Sequence, residues 1–420
     1  MPSKIILFLS LFFFTALAPL SAVELLTWQQ CVSEAQRAHP DLASSLALLQ
    51  QAETDKQITS GGRLPQVSLG LSSLEQGSSN AGSSSLFSYS LSARQLLYDG
   101  RKTSSQIESN AESIKAAQQN YRTVSAAVRF ALRSAFTELL KAQHLVGLTR
   151  EIAERRQKNV RLITLRYQGG RENIGSLRQA EADLAQAKFE VAQAERGLAL
   201  AQSTLASALG RESHQPLRVQ GTFSASNGST EKPDIALLAA QHPLLQQLGA
   251  RSRAAAHDVE AARHAFSPQL YLTSSLGRSV PERLPLDGVD WSAGLTLSVP
   301  IYEGGSGTAK VTKARAVARQ QQAQERSGYL QIMNALEQSW KVFQDAQQMA
   351  LVSKKFLEAA VERATIATAQ YSNGLITFND WVLIEDKLVG AKKNFLNAEA
   401  DLLLAEAQWM QSKGGGFDGE

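Results

Sequence analysis

The sequence has little of several residue types, and each shortage excludes a class of protein. Cys31 is the only cysteine in 420 residues, which excludes an intrachain disulfide framework and a cysteine-based metal cluster. After residue 17, no apolar run reaches the ~20 residues that a membrane-spanning helix needs. The net charge is only +4, and basic residues alternate with acidic ones along the chain. We find no basic stripe of the kind that binds nucleic acid.

Catalytic and cofactor motifs are equally scarce. The glycine-rich segment 304–310 lacks the Gly-Lys-Ser/Thr ending of a phosphate-binding loop. His257 and His264 have no third ligand at a suitable spacing, which is typical of histidines on a helix surface rather than of a metal site. No Ser-His-Asp triad can be argued from spacing. The sequence therefore predicts a protein that is not an enzyme and holds neither a cofactor nor a metal.

The first 22 residues have the pattern of a secretory signal peptide. Lys4 precedes an apolar run over 5–17, and the small residues Ser21 and Ala22 follow it. A transmembrane anchor is the alternative, but the run is shorter than a spanning helix and is followed by Pro19. We expect the mature chain to begin near residue 23 and to leave the cytoplasm.

The rest of the chain is a tandem duplication with an offset of about 204 residues. The paired segments are His39-Pro40 with His242-Pro243, Pro65-Gln66 with Pro268-Gln269, Tyr98-Asp99-Gly100 with Tyr302-Glu303-Gly304, and Tyr167 and Gly170 with Tyr371 and Gly374. A repeat this long is a complete structural half rather than a solenoid unit. The sequence therefore predicts a first repeat (23–210), a linker (211–233), a second repeat (234–412) and a flexible C-terminal tail (413–420).

Each repeat contains a long helical hairpin. The first helix runs without proline over 102–168 in one repeat and 307–370 in the other, which is on the order of 100 Å of helix. A Tyr-x-x-Gly turn follows each, where Gly170 and Gly374 can adopt the left-handed cap conformation. The returning helix has apolar residues at the three-four spacing of a coiled-coil seam, from Leu177 in the first repeat and from Trp381 in the second.

A second apolar line runs along each returning helix with a period of seven residues. It consists of Ala185, Ala192, Ala199 and Ala206 in the first repeat, and of Val389, Leu396, Leu403 and Met410 in the second. One apolar seam is enough for a two-helix hairpin. Two seams per helix allow packing on both sides, as a closed cylinder of helices requires.

A strand pair interrupts the helices in each repeat. Apolar and small polar residues alternate in four segments of about ten residues, for example from Trp291 to Ile301. This alternation is typical of strands in an outer-membrane barrel, although a strand of a water-soluble sandwich has the same period. Four strands cannot close a barrel, and unpaired strand edges are not tolerated in lipid. Three copies of the chain would supply twelve strands and close one barrel.

Together these features resemble the TolC family of outer-membrane channels over essentially the whole mature chain. The matching segments are the duplicated halves, the strand-to-helix junctions 97–100 and 301–304, the Pro-Gln strand openings, and Tyr-Ser-Asn-Gly at 371–374 followed by Asp380. The resemblance implies a mainly α-helical protein with a membrane β-barrel. It would form a homotrimer, with a twelve-stranded barrel in outer-membrane lipid and an α-helical tunnel in the periplasm.

The same resemblance implies a function and partners. The channel would be the passive exit duct of a tripartite efflux pump or of a type I secretion system. It would dock to a periplasmic adaptor protein and to an inner-membrane RND or ABC transporter. The sequence does not select a cargo, because the pump usually sets selectivity in such systems.

The resemblance also implies that the two hairpin turns form the periplasmic entrance. Its residues would be Gly170, Ser176, Tyr371, Gly374, Asp380 and Trp381. Family members have two aspartates one turn apart and a nearby arginine in this region, whereas Leu383 and Ile376 stand at the second and third of these positions here. We therefore expect a reduced polar closing network, with a ring of three Asp380 carboxylates or apolar closure by Trp381 as alternatives.

A periplasmic coiled-coil adaptor is the remaining alternative for the whole chain. An adaptor is expected to have one helical hairpin with flanking soluble β-domains. This sequence predicts two hairpins and four strands of the membrane type, which favours the channel.

Overall fold

A computed structural model describes residues 24–78, 82–212, 216–223, 231–281 and 288–417, and the predicted signal peptide lies outside them. The helices are α1 (Trp28–Ala38), α2 (Pro40–Gly61), α3 (Lys102–Gln168), α4 (Ile174–Ala208), α5 (Ile235–Gln241), α6 (Pro243–Arg263), α7 (Ser306–Ser372) and α8 (Phe378–Ser412). The strands are β1 (Glu24–Leu26), β2 (Gln66–Ser78), β3 (Gly82–Tyr98), β4 (Leu217–Val219), β5 (Gln269–Pro281) and β6 (Asp290–Ser298). Of the helices described, none is long and apolar enough to span a membrane.

The duplication is visible in the lengths of the helices. Helices α3 and α7 each contain 67 residues, and α4 and α8 each contain 35. The bounds of α3 agree with the sequence prediction, and α7 is one residue longer at its start and two at its end. The predicted mainly helical fold, with duplicated hairpins and strand pairs, is confirmed.

The four long helices form one layer in the order α4, α3, α8, α7. Helix α3 contacts both α4 and α8, and α8 also contacts α7. Both apolar lines of α8 therefore pack against neighbouring helices, and Leu396 and Leu403 of its second line are buried. The second line of α4 differs, because Ala185 and Ala199 remain exposed in the single chain. Helices α4 and α7 are thus the open edges of the layer.

The larger strands form one antiparallel sheet in the order β2, β3, β5, β6. One apolar row crosses all four strands on one face and consists of Leu69, Leu91, Leu276 and Trp291. The adjacent row, on the opposite face, is a serine row of Ser68, Ser92, Ser275 and Ser292. Its hydroxyls are hydrogen-bonded in pairs, at 2.7 Å in β2 and β3 and 2.8 Å in β5 and β6. The predicted alternation is confirmed, but β6 ends at Ser298 because Pro300 has no N–H to donate.

Part of the predicted linker is a structural element. Strand β4 pairs in parallel with β1, and Leu217 and Val219 are buried in the core beside α3. Arg211 also connects the end of the first repeat to its beginning, because its guanidinium donates to Glu34 at 2.5 Å and Glu24 at 2.6 Å. A three-residue strand is too short for its alternation to be recognised in the sequence.

The structure also differs from the predicted flexible tail, over residues 413–417. Phe417 is 5% exposed and belongs to the core cluster built on α3. Its backbone N–H donates to the Ser125 hydroxyl at 3.1 Å. The end of the second repeat is therefore docked on the first. Residues 418–420 lie outside the described part of the chain.

Candidate functional site

The two hairpins end in turns of the same geometry. Gly170 and Gly374 have φ values of 68° and 76°, a left-handed conformation that favours glycine. Each donates its N–H to the carbonyl three residues earlier, at 3.0 Å. The following residue, Arg171 or Leu375, donates to a carbonyl five residues earlier, as in a Schellman motif. The backbone thus supports the capping role predicted for both glycines.

An aromatic cluster, which we call the turn cluster, lies beside these turns. It contains Ile163 of α3, Leu177 and Ala180 of α4, Ala367 and Tyr371 of α7, and Phe378 and Trp381 of α8. The rings of Tyr371 and Trp381 are stacked, with centroids 4.5 Å apart and an interplanar angle of 5°. Each of the four long helices therefore contributes to one apolar cluster at this end of the layer.

A carboxylate network connects the two turns through Glu172. The Tyr371 hydroxyl donates to Glu172 Oε2 at 2.8 Å, and the Ser176 hydroxyl donates to Oε1 at 2.9 Å. Burial opposes ionisation of Glu172, but the hydrogen bonds from Tyr371 and Ser176 outweigh it and lower the pKa of this carboxyl. Burial and the adjacent carboxylate raise the pKa of Tyr371, so its hydroxyl remains a donor.

Arg166 forms a second connection between the hairpins. Its Nη1 donates to the Tyr371 carbonyl at 2.8 Å, and its guanidinium carbon lies 4.6 Å from the centroid of the Tyr371 ring. The guanidinium therefore caps the end of α7, where the helix dipole favours a cation. Glu172 and Arg166 therefore supply polar contacts between the two hairpins that the sequence prediction did not include.

Asp380 and Trp381 are adjacent in sequence but have different environments. Asp380 is exposed at the first turn of α8, where Thr377 accepts its N–H at 3.2 Å and donates to its carboxylate at 2.7 Å. Trp381 is buried between helices, and its Nε1 donates to the Thr368 hydroxyl at 3.3 Å. Asp380 and Leu383 are among the exposed side chains of this first part of α8.

Two ion pairs join α3 to α8 next to the turn cluster. Arg155 donates to both oxygens of Glu385, at 2.5 and 2.6 Å, and Glu385 is only 1% exposed. The neighbouring Arg156 donates to Asp386. These four residues, which we call the inter-hairpin clamp, hold the first repeat against the second.

The sequence predictions did not include Glu172, Arg166 or the clamp. The sequence predicted Ser176 at this position, but the carboxylate comes from Glu172, four residues earlier, in the turn between α3 and α4. The only indication of this carboxylate in the sequence is that Glu172 directly precedes Asn173, the N-cap of α4.

In the described part of the chain, no group of three or more histidines, cysteines or carboxylates could hold a metal ion.

Comparison with known proteins gives a family match over both repeats. The family described as outer membrane efflux protein matches residues 31–211 and 235–415. The outer membrane protein OprJ of Pseudomonas aeruginosa is 27% identical over 194 residues, which are 44% of this chain and 38% of OprJ. The outer membrane efflux protein BepC of Brucella suis is 21% identical over 324 residues, which are 76% of this chain and 70% of BepC.

Solved structures share the fold. A structure of CusC superposes with a TM-score of 0.83 at 19% identity and covers 92% of each chain. The open state of the MtrE outer membrane channel of Neisseria gonorrhoeae superposes with a TM-score of 0.82 at 18% identity, over 93% of this chain and 89% of MtrE. At this identity the likeness establishes a common fold.

Proposed function

Because the chain belongs to the outer membrane efflux protein family, we propose that three copies form the exit duct of a tripartite efflux pump or a type I secretion system. The chain is accordingly an outer-membrane transport protein and not an enzyme. The adaptor alternative is set aside, because both hairpin repeats lie within the matched residues. The proposal rests mainly on the open edges of the helical layer.

The two edge helices have apolar faces that the single chain does not cover. Helix α7 has no buried residue between Phe343 and Ala364, and Phe356 within this stretch is 70% exposed. Helix α4 presents its second apolar line, with Ala185 and Ala199 exposed. Packing α4 of one copy against α7 of the next would cover both faces and close the layer into a ring.

The sheet supports the same assembly. Within the described strands, β2 and β6 each have a neighbour on one side only. Their apolar face is open, and Trp291 is 76% exposed. Lipid tolerates an apolar face but not an unpaired strand edge. Pairing β6 of one copy with β2 of the next would close a barrel of twelve strands.

Arginine at Ala185 tests the proposed contact between copies. The Ala185→Arg variant should lose the trimer, because a charged side chain would be buried on the second apolar line of α4. Gln186→Arg is the matched control, since its exposed side chain lies on a different face of α4. The measurement is the mass of the purified protein by light scattering. Two variants with the same oligomeric state would contradict the α4-to-α7 contact.

We further infer that the entrance is formed by the six predicted residues together with Glu172 and Arg166. The Tyr371 hydroxyl and the Arg166 guanidinium hold α7 to the first hairpin, so their loss would release α7 and widen the opening. Three exposed Asp380 carboxylates around one axis would focus a negative potential there and attract cations.

Single-channel recording tests both parts of this entrance. Tyr371→Phe keeps the stack on Trp381 but removes the bond to Glu172, and we expect a larger open fraction. Tyr167→Phe, the equivalent change in the first repeat, should leave the open fraction unchanged. Asp380→Asn should reduce the preference for cations without widening the channel. An unchanged open fraction in Tyr371→Phe would contradict closure by Glu172. Unchanged selectivity in Asp380→Asn would leave Asp380 with only a helix-capping role.

The proposed partners are a periplasmic adaptor and an inner-membrane RND or ABC transporter. Support comes from the hairpin turns, where Ile174 and Leu375 are exposed apolar side chains that a partner could cover. The gene neighbourhood would distinguish the two systems. An adjacent ABC transporter gene would favour secretion, and an adjacent proton-driven pump gene would favour efflux.

A further inference from the structure

The junction between β3 and α3 contains an arginine in a glycine conformation. Arg101 has φ 74° and is the only non-glycine residue with positive φ in the part of the chain that the structure describes. The second repeat has the same backbone at Gly304 and Gly305, with φ values of 61° and 81°. Glycine would therefore fit this position with less strain. Strain alone assigns no role, but it shows that the backbone does not require arginine here.

A second arginine lies near the same helix start. Arg63, which follows α2, donates through Nη2 to the hydroxyl of Ser104 in the first turn of α3, and Arg101 is the residue directly before this helix. Asp99, two residues before Arg101, is buried and caps the helix by accepting the Thr103 N–H at 2.8 Å. Among the described residues, neither Arg63 nor Arg101 is in an ion pair. At the second junction, by contrast, Lys310 lies 3.9 Å from Glu303.

This basic pair lies directly beyond the apolar face of the sheet. A β-bulge between Leu96 and Tyr98 brings Tyr98 opposite Leu270, which in turn pairs with Leu297. Tyr98 is 54% exposed and thus ends the apolar face with an aromatic ring. Tyr302 is exposed at the equivalent position of the second repeat. Tyrosine at the edge of an apolar band is typical of the boundary between lipid and water.

We propose that Arg63 and Arg101 bind the phosphate headgroups of anionic phospholipids in the periplasmic leaflet of the outer membrane. The proposal rests on the proposed function, because it requires the apolar face of the sheet to contact lipid. Guanidinium groups donate to phosphate oxygens in a forked geometry, and the two arginines lie where headgroups meet the barrel. The lipid contact would thus be made by the first repeat and would occur three times around a trimer.

Competition between lipids tests the proposal on the intact trimer. We would add phosphatidylglycerol and phosphatidylcholine in equal amounts to trimer in detergent and count the bound lipids by native mass spectrometry. The unmodified protein should prefer phosphatidylglycerol. Arg101→Gly keeps a compatible backbone and should lower that preference about fivefold, and Arg63→Gln should act in the same direction. Lys310→Gln at the second junction is the matched control and should have no effect.

The outcomes separate this proposal from the proposed function. A protein that forms no trimer would contradict the proposed function before any lipid is added. A trimer without a preference for phosphatidylglycerol would overturn only the lipid site, and so would a preference that Arg101→Gly and Arg63→Gln both leave unchanged. Inorganic phosphate at the same concentration should not displace the lipid. Displacement would show that the arginines bind free phosphate rather than a membrane surface.

Discussion

Replacing Leu295 by arginine should cost about 2 to 4 kcal/mol per copy and prevent accumulation of the assembled channel. Leu295 is 66% exposed on the apolar face of β6, opposite Leu272 of β5. In the proposed assembly this face contacts lipid, where a guanidinium loses its hydration without gaining a partner. The measurement is the amount of trimer in the outer-membrane fraction.

The control for Leu295→Arg is Ser292→Arg on the same strand. Ser292 belongs to the serine row, on the opposite face of the sheet. In a closed barrel this face lines the lumen, where water can solvate arginine. Ser292→Arg should therefore assemble. Equal yields of the two variants would show that the apolar face is not in lipid or that the faces are reversed.

Replacing Arg155 by methionine should cost about 3 to 5 kcal/mol in the free energy of unfolding. The change leaves the buried Glu385 carboxylate with Thr368, at 3.4 Å, as its remaining donor. A carboxylate excluded from water without a cation is costly, whereas Arg155 is partly exposed and could recover solvent if Glu385 were removed. The free energy of unfolding can be measured by urea titration, followed by circular dichroism.

Two further variants show whether the unpaired Glu385 charge causes the loss of stability in Arg155→Met. Arg155→Met combined with Glu385→Leu should recover most of the loss, because no charge then remains buried. Arg150→Met breaks the ion pair with Glu195, whose two side chains are both exposed, and should change stability by about 1 kcal/mol or less. A double variant as unstable as Arg155→Met would mean that packing, and not the unpaired charge, causes the loss.

The sequence by itself determined the features that depend on local periodicity. The three-four spacing from Leu177 identified the α4 seam, and the absence of proline together with Gly170 identified the extent of α3. The alternation from Trp291 identified the two faces of β6. Each signal repeats over many residues within one element, so it can be recognised without knowing the neighbours of that element. The duplication then showed that both repeats share these features.

Only the tertiary structure decided which side chains meet across repeats. Glu172 and Tyr371 are 199 residues apart in sequence, and Arg155 and Glu385 are 230 apart. No periodicity relates such positions, and either carboxylate could equally have been an exposed helix residue. The docking of Phe417 on α3 was missed for the same reason, whereas the pairing of β4 with β1 was missed because each strand has only three residues. The contacts of Glu172, Arg155 and Phe417 follow from how the two repeats pack side by side, because packing alone brings these distant groups within hydrogen-bonding or van der Waals distance.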